Sequence, residues 1–200
     1  MPFERVTIIG LGLLGGSIGL AARKHRPDIR TSGYDSDPNT RDQARDLGLV
    51  DEVCDNPATA VEHADLVVLC VPVGAMGYAA DAIRAHLPDT AIVSDVGSSK
   101  QGVLDVLRAA LPDHSVIPAH PVAGTERSGP AAGFAELFEH RWCILTPPED
   151  APDDATQALA AFWESLGSRV EIMDANHHDL VLAVTSHIPH LIAYTIVGTA

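Results

Sequence analysis

Three glycines, Gly10, Gly12 and Gly15, fall in G-x-G-x-x-G spacing in the segment GLGLLG, directly after the largely apolar residues 6–9. Each has a separate task. Gly10 lets the chain turn sharply out of a strand, Gly12 removes a side chain where a pyrophosphate approaches the backbone, and Gly15 lets a helix pack closely on the strand. The intervening Leu13 and Leu14 open that helix, whose first N–H groups and positive dipole end face the phosphates. Asp35, in SGYDSD, follows Gly15 by 20 positions. A carboxylate there accepts hydrogen bonds from both ribose hydroxyls of NAD and repels the 2′-phosphate of NADP, with Asp37 adding to the repulsion. Arg41 is the nearby base that could rescue NADP. Val71 and Pro72 close a later apolar run at the carboxyl edge of a sheet, where ligands of open α/β sheets lie, so the backbone there is expected to line the cofactor. Together these residues predict NAD as the cofactor.

Three further clusters have unusual composition: DVGSSK at 95–100, HPVAGTERSGP at 120–130, and HHD followed by SHIPH between 177 and 190. The first two come where strands end, the position in which catalytic groups of such a fold are expected. The third is on a helix expected to face the cleft.

The elements that must hold these residues alternate. Strands are predicted over 6–10, 29–35, 65–73, 91–96, 115–119, 142–146 and 169–173. Helices are predicted over 14–23, 39–47, 75–87, 99–111 and 154–166, with a Gly-rich loop and a short helix between 119 and 142. Strands buried on both faces and separated by helices imply an α/β fold, a Rossmann-type doubly wound, mostly parallel sheet. The cofactor domain is expected over 1–174. From 176 the pattern becomes one long apolar helix carrying polar residues and lacking a cap. Residues 175–200 are therefore read as the first helix of an all-helical domain, with the chain a fragment of something longer. The alternative is a helix packed on its own sheet or on a second copy.

The bulk numbers narrow the partners. Lys and Arg total 13 against 27 Asp and Glu, a formal charge of −14. Nucleic acid and anionic membrane surfaces need a basic face, so neither is expected. Phosphates held by backbone N–H groups remain compatible with this charge. The three cysteines, Cys54, Cys70 and Cys143, are far apart and form no C-x-x-C pair. That suits a reducing, cytoplasmic compartment and predicts neither a disulfide framework nor a metal site. No signal peptide is expected from the N-terminal residues, and the apolar run 66–76 is too short to span a bilayer.

With these motifs in place, the sequence resembles the prephenate and arogenate (cyclohexadienyl) dehydrogenases of tyrosine biosynthesis. GLGLLGGSIG, CVPV, DVGSSK, HPVAGTERSGP and HD…SHIPH occur in that family's order and spacing, and the resemblance covers essentially all 200 residues. It implies oxidative decarboxylation of a cyclohexadienol, with hydride passing to the nicotinamide. By resemblance His120 is the catalytic histidine that accepts or polarises the 4-hydroxyl proton. A neutral imidazole suits that task because its ordinary pKa lies near working pH. Ser99 is then the serine that orients His120 or the substrate hydroxyl, a helix N-cap being its alternative role. Glu126 matches a pocket glutamate, and His178, Ser186 and His190 match positions lining the substrate side. Ser186 and His190 share a helix face, and Pro189 should kink that helix. Lys100 is a candidate for steering the anionic substrate. His63, His177 and His187 are read as structural.

The resemblance also implies a homodimer through a C-terminal helical domain that supplies an arginine to clamp the substrate carboxylate. Only the first helix of such a domain is expected within these 200 residues. Two other readings therefore stay open. One is a nucleotide-binding module that needs the rest of the cleft. The other is a Rossmann reductase of the β-hydroxyacid dehydrogenase type, which would use a lysine on the last helix, where this chain has none after Lys100.

Overall fold

The structure is a computed structural model and describes residues 3–187. Six parallel strands form the main sheet: β1 (Arg5–Ile9), β2 (Arg30–Tyr34), β3 (Glu52–Val53), β4 (Leu66–Leu69), β5 (Ile92–Asp95) and β6 (Ser115–Val116). Their order is β3-β2-β1-β4-β5-β6. This is the Rossmann-type, doubly wound sheet expected from the sequence. Its direction of winding reverses between β1 and β4, which opens a crevice outside their carboxyl ends.

Successive side chains of a strand face opposite sides of a sheet. On β4, Leu66 and Val68 join one buried cluster with Ile8 and Ile18, while Val67 and Leu69 join a second with Ile9, Val93 and Val103. A strand that feeds two cores needs apolar residues at every position, which explains the unbroken run around LVVL. Helices α1 (Leu13–His25), α2 (Pro38–Leu47), α3 (Pro57–Val61), α4 (Met76–Ile83) and α5 (Gln101–Ala110) connect these strands.

Four features differ from the sequence reading. Residues 115–119, read as one strand, are split between two sheets. Ile117 still donates to Val93 in the main sheet, but Pro118 has no N–H and its carbonyl accepts from Thr146 instead. The chain thereby leaves β6 and enters β7 (Ala119–Pro121), which pairs antiparallel with β8 (Trp142–Leu145). Next, β8 runs parallel to β9 (Arg169–Ile172) across α6 (Asp153–Ser165), so these strands make a separate three-stranded sheet. Third, the short elements β3 and α3 carry too few residues to show a hydrophobic period. Last, α7 (Ala175–Leu182) starts where Asp174 accepts from the N–H groups of Asn176 and His177, and it continues as a π-helical turn, Ala183–His187. The remainder of the predicted long helix lies outside the described residues. No described helix is long and apolar enough to cross a membrane.

Candidate active site

The GLGLLG segment forms the junction from β1 to α1. Gly10 adopts φ +101°, a left-handed region that favours glycine, and a Cβ there would lie 2.5 Å from the Cys70 carbonyl oxygen. A Cβ on Gly15 would lie 1.9 Å from the Gly10 carbonyl oxygen. Both glycines are therefore demanded by the chain's own packing. Gly12 is not: a Cβ there meets nothing within 4 Å. It is the N-cap of α1, with no capping side chain and no acidic residue in the first turn. The first N–H groups of a helix have no partner within it. The space over Gly12, Leu13 and Leu14 thus combines a bare backbone surface with the positive end of a thirteen-residue helix. These residues fit a dinucleotide pyrophosphate.

Asp35 sits just beyond β2, partly buried. Its Oδ2 accepts from the Leu11 N–H at 2.8 Å and its Oδ1 from the Asp37 N–H at 3.0 Å. The carboxylate therefore braces the glycine loop, and its remaining lone pairs stay able to receive ribose hydroxyls. Arg41 is tied down. It donates to the carbonyls of Asp35 and Ser36, pairs with Asp55 at 3.2 Å and stacks on the Tyr34 ring at 5.5 Å. It is not poised to receive a 2′-phosphate. Val71 and Pro72 follow β4 at the same edge, and a Cβ on Gly10 would also touch the Val71 side chain.

On β5 the carboxyl end is Asp95, fully buried and paired at 2.6 Å with the equally buried Lys100. The Lys100 ammonium also donates to the Ala119 carbonyl at 2.7 Å, one residue before His120. Burial pushes the Asp95 carboxyl up and the Lys100 ammonium down from their ordinary values, against the attraction and hydrogen bond between them. This corrects the expectation that Lys100 steers substrate: its side chain is 0% exposed. The sequence could not show this, because a lysine just before a helix has the same local signature whether it points inward or outward.

His120, on β7, is 8% exposed. Its Nδ1 is hydrogen-bonded to His178 Nε2 at 2.9 Å, and the two rings pack edge to face at 5.1 Å. The other nitrogen of His178, Nδ1, bonds the Asp179 carboxylate at 2.8 Å. Asp179 also accepts from the backbone N–H groups of Lys100 at 2.7 Å and Gln101 at 3.0 Å. Burial pushes the His178 imidazole below its ordinary pKa, in opposition to Asp179, which favours the charged ring. Burial raises the Asp179 carboxyl, but the N–H groups of Gln101, His178 and Lys100 outweigh it and leave the net shift downward.

Two expectations change here. His178 was expected to line the substrate side. It is 0% exposed with both ring nitrogens bonded to protein groups, so it stands behind His120. Ser99 lies partly exposed before α5, but that helix is capped by Asp179 from α7 and by no side chain of its own. Glu126 is exposed in the loop after β7. Ser186 lies in the π-helical turn after α7, and His190 lies outside the described residues. Asp179 and Asp95, which hold His178 and Lys100, were not singled out from the sequence. The signal for Asp179 was available in the HHD segment, since a carboxylate beside a histidine commonly orients its ring.

Residues 18–172 match the family model described as prephenate dehydrogenase, nucleotide-binding domain. The cyclohexadienyl dehydrogenase of Zymomonas mobilis is 48% identical over 196 residues, covering 98% of this chain and 67% of that protein. The prephenate dehydrogenase of Bacillus subtilis is 32% identical, covering 97% of this chain and 53% of that protein. The crystal structure of Aquifex aeolicus prephenate dehydrogenase in complex with hydroxyphenyl propionate and NAD+ superposes with a TM-score of 0.92 at 32% identity, over 100% of this chain and 70% of that one. The present chain thus spans from about half to about two thirds of its relatives. With the glycine cradle, the six-strand order and these matches agreeing, the chain belongs to the prephenate dehydrogenase family and carries its nucleotide-binding domain.

Proposed function

We propose that the protein is an NAD-dependent prephenate or arogenate dehydrogenase that oxidatively decarboxylates its substrate to 4-hydroxyphenylpyruvate or tyrosine. The observation carrying this reading is His120, a nearly buried imidazole backed by His178 and Asp179, on a strand held to the carboxyl end of β5 by Lys100. The glycine cradle opens along the carboxyl ends of the same sheet. Gly10, Gly12, Leu13, Leu14 and Gly15 hold the pyrophosphate, Asp35 holds the ribose, and Val71 and Pro72 line the nicotinamide end. When bound, NAD supplies the hydride acceptor.

The chain's own residues then have three tasks. His120 takes the proton of the substrate's 4-hydroxyl as the C4–H bond breaks and the carbonyl-like charge grows at that carbon. Departure of carbon dioxide from C1 leaves its bonding pair to complete the aromatic ring, and His120 returns its proton to the oxygen to give the phenol, so the ring rather than the protein supplies the driving force. Ser99 orients the hydroxyl beside His120. Glu126, Ser186 and His190 line the substrate side, with Glu126 governing charge at its mouth.

On the same reading the protein works in the cytoplasm as a homodimer built through the region that begins with α7. Leu180 and Val184 support this: they share one face of the helical segment and are 66% and 59% exposed.

The test is to mix the protein with NAD and prephenate or arogenate and follow NADH absorbance. His120→Ala is expected to lower turnover by about 10²–10⁴-fold, the range for a lost general base, while NAD affinity is kept. If the unaltered protein binds NAD but turns over neither substrate, it is a nucleotide-binding module and the dehydrogenase reading falls.

A further inference from the structure

We propose that Asp179 is a positioning residue: acting through His178, it sets the tautomer of His120 so that Nε2 is the proton acceptor. The inference rests on the dehydrogenase reading for its consequence, but the tautomer itself follows from hydrogen-bond logic alone.

An ionised carboxylate can only accept hydrogen bonds. Asp179 accepts three, from the N–H groups of Lys100 and Gln101 and from His178 Nδ1. His178 Nδ1 must therefore carry a hydrogen. The ring is fully buried, where a neutral imidazole is favoured, and a neutral imidazole with a hydrogen on Nδ1 has a bare lone pair on Nε2. That lone pair is 2.9 Å from His120 Nδ1. His120 Nδ1 is thus the donor, and neutral His120 keeps its lone pair on Nε2.

The polarity of the whole chain is dictated from the Asp179 end. Asp179 is held from α5: the backbone N–H groups that fix its carboxylate open that helix and begin at Lys100, whose ammonium holds the Ala119 carbonyl beside His120. Both ends of the relay are anchored to one residue. When His120 gains a proton on Nε2, its Nδ1–H keeps His178 as acceptor, and Asp179 lies one ring further back to offset the new charge. Among the described residues, the charged and titratable groups packed around the relay include Asp179 and His178 on α7, Lys100 before α5, Asp95 on β5 and Cys143 on β8.

Three variants separate this from a merely structural role. Asp179→Asn keeps the shape but removes the charge, and because one oxygen accepts from both the Lys100 N–H and His178 Nδ1, the amide N–H must meet the backbone N–H of either Gln101 or Lys100, so the carboxylate's hold on the relay is lost. This variant should lower kcat by tenfold or more, approaching the roughly 10⁴-fold loss seen when a serine-protease triad carboxylate becomes an amide, with the KM for NAD unchanged. His178→Gln can still accept from His120 and donate to Asp179, and should retain most of the kcat. His178→Phe fills the space without either bond and should lose it.

Heteronuclear NMR of histidine-labelled protein reads the tautomer without turnover. The expected spectrum of the unaltered protein has the His120 hydrogen on Nδ1 and none on Nε2. A hydrogen on His120 Nε2 in the unaltered protein overturns the proposal, as does equal kcat in His178→Gln and His178→Phe. Failure of turnover with the expected tautomer present would strike the dehydrogenase reading and leave the relay standing.

Discussion

The Lys100 ammonium lies 2.6 Å from the Asp95 carboxylate, and neither side chain has any solvent exposure. The pair ties the carboxyl end of β5 to the residue that precedes α5, and through the Ala119 carbonyl to the strand bearing His120. Taking one partner from a buried pair leaves the other charge uncompensated, which costs about 3–5 kcal/mol. Lys100→Met should lose stability in that range by denaturant unfolding, and the double variant Lys100→Met with Asp95→Asn should recover part of it. A loss below about 1 kcal/mol for the single variant would show that the pair is not a structural tie.

The glycines of the cradle should divide by variant. At Gly15 an added Cβ meets a backbone oxygen at 1.9 Å, so Gly15→Ala should destabilise the fold by about 3 kcal/mol or more. At Gly12 an added Cβ meets open space. Gly12→Ala should change stability by less than about 1 kcal/mol, the scale of a helix-cap change, yet weaken NAD binding tenfold or more. Calorimetric titration with NAD, read beside thermal unfolding, checks both. Unchanged NAD affinity in Gly12→Ala would remove the pyrophosphate from that surface.

Asp35 joins cofactor choice to loop order. Hydrogen bonds to a charged group are worth about 1.5–3 kcal/mol, so Asp35→Ala should raise the KM for NAD by about tenfold to a hundredfold. Loss of the negative charge should at the same time narrow the preference for NAD over NADP. Arg41 stays bound to Asp55 and Tyr34, so the preference should narrow without inverting. An unchanged ratio would mean that the ribose is read elsewhere.

His178 adds an acid-side weakness. Its burial holds the folded-state pKa below the ordinary 6.5. Between those two values the unfolded chain binds a proton that the native state does not, so stability falls as pH falls. The native form should therefore weaken progressively below about pH 6.5, down to the folded-state pKa of His178. Asp179, whose pKa is lowered from 3.8, adds a further loss as pH drops below that value. Denaturant midpoints measured across this range should fall toward acid, and His178→Gln should flatten the portion that begins near 6.5. An unaltered slope in that variant would assign the acid sensitivity to other groups.

Much of the nucleotide half was legible in the residues. The unbroken apolar run LVVL, the glycine spacing and the fixed interval from Gly15 to Asp35 are all read along the chain itself, so local pattern carries them. The splitting of 115–119 was not legible, because Pro118 shows only that a ladder hydrogen bond is missing and not that its carbonyl finds Thr146 in another sheet. The inward turn of Lys100 was equally hidden, since a long flexible side chain takes its direction from what lies beneath it.

The sequence by itself determined a parallel sheet with a dinucleotide cradle and named His120 as the group of interest. Tertiary structure alone decided what stands behind that histidine. His178 is 58 positions away and reaches Nδ1 only because Asp179 seats α7 on the opening of α5. The physical reason is that backbone turns and strand faces follow from adjacent residues, whereas the donor and acceptor sense of an imidazole is set by whichever carboxylate the folded chain brings to its partner.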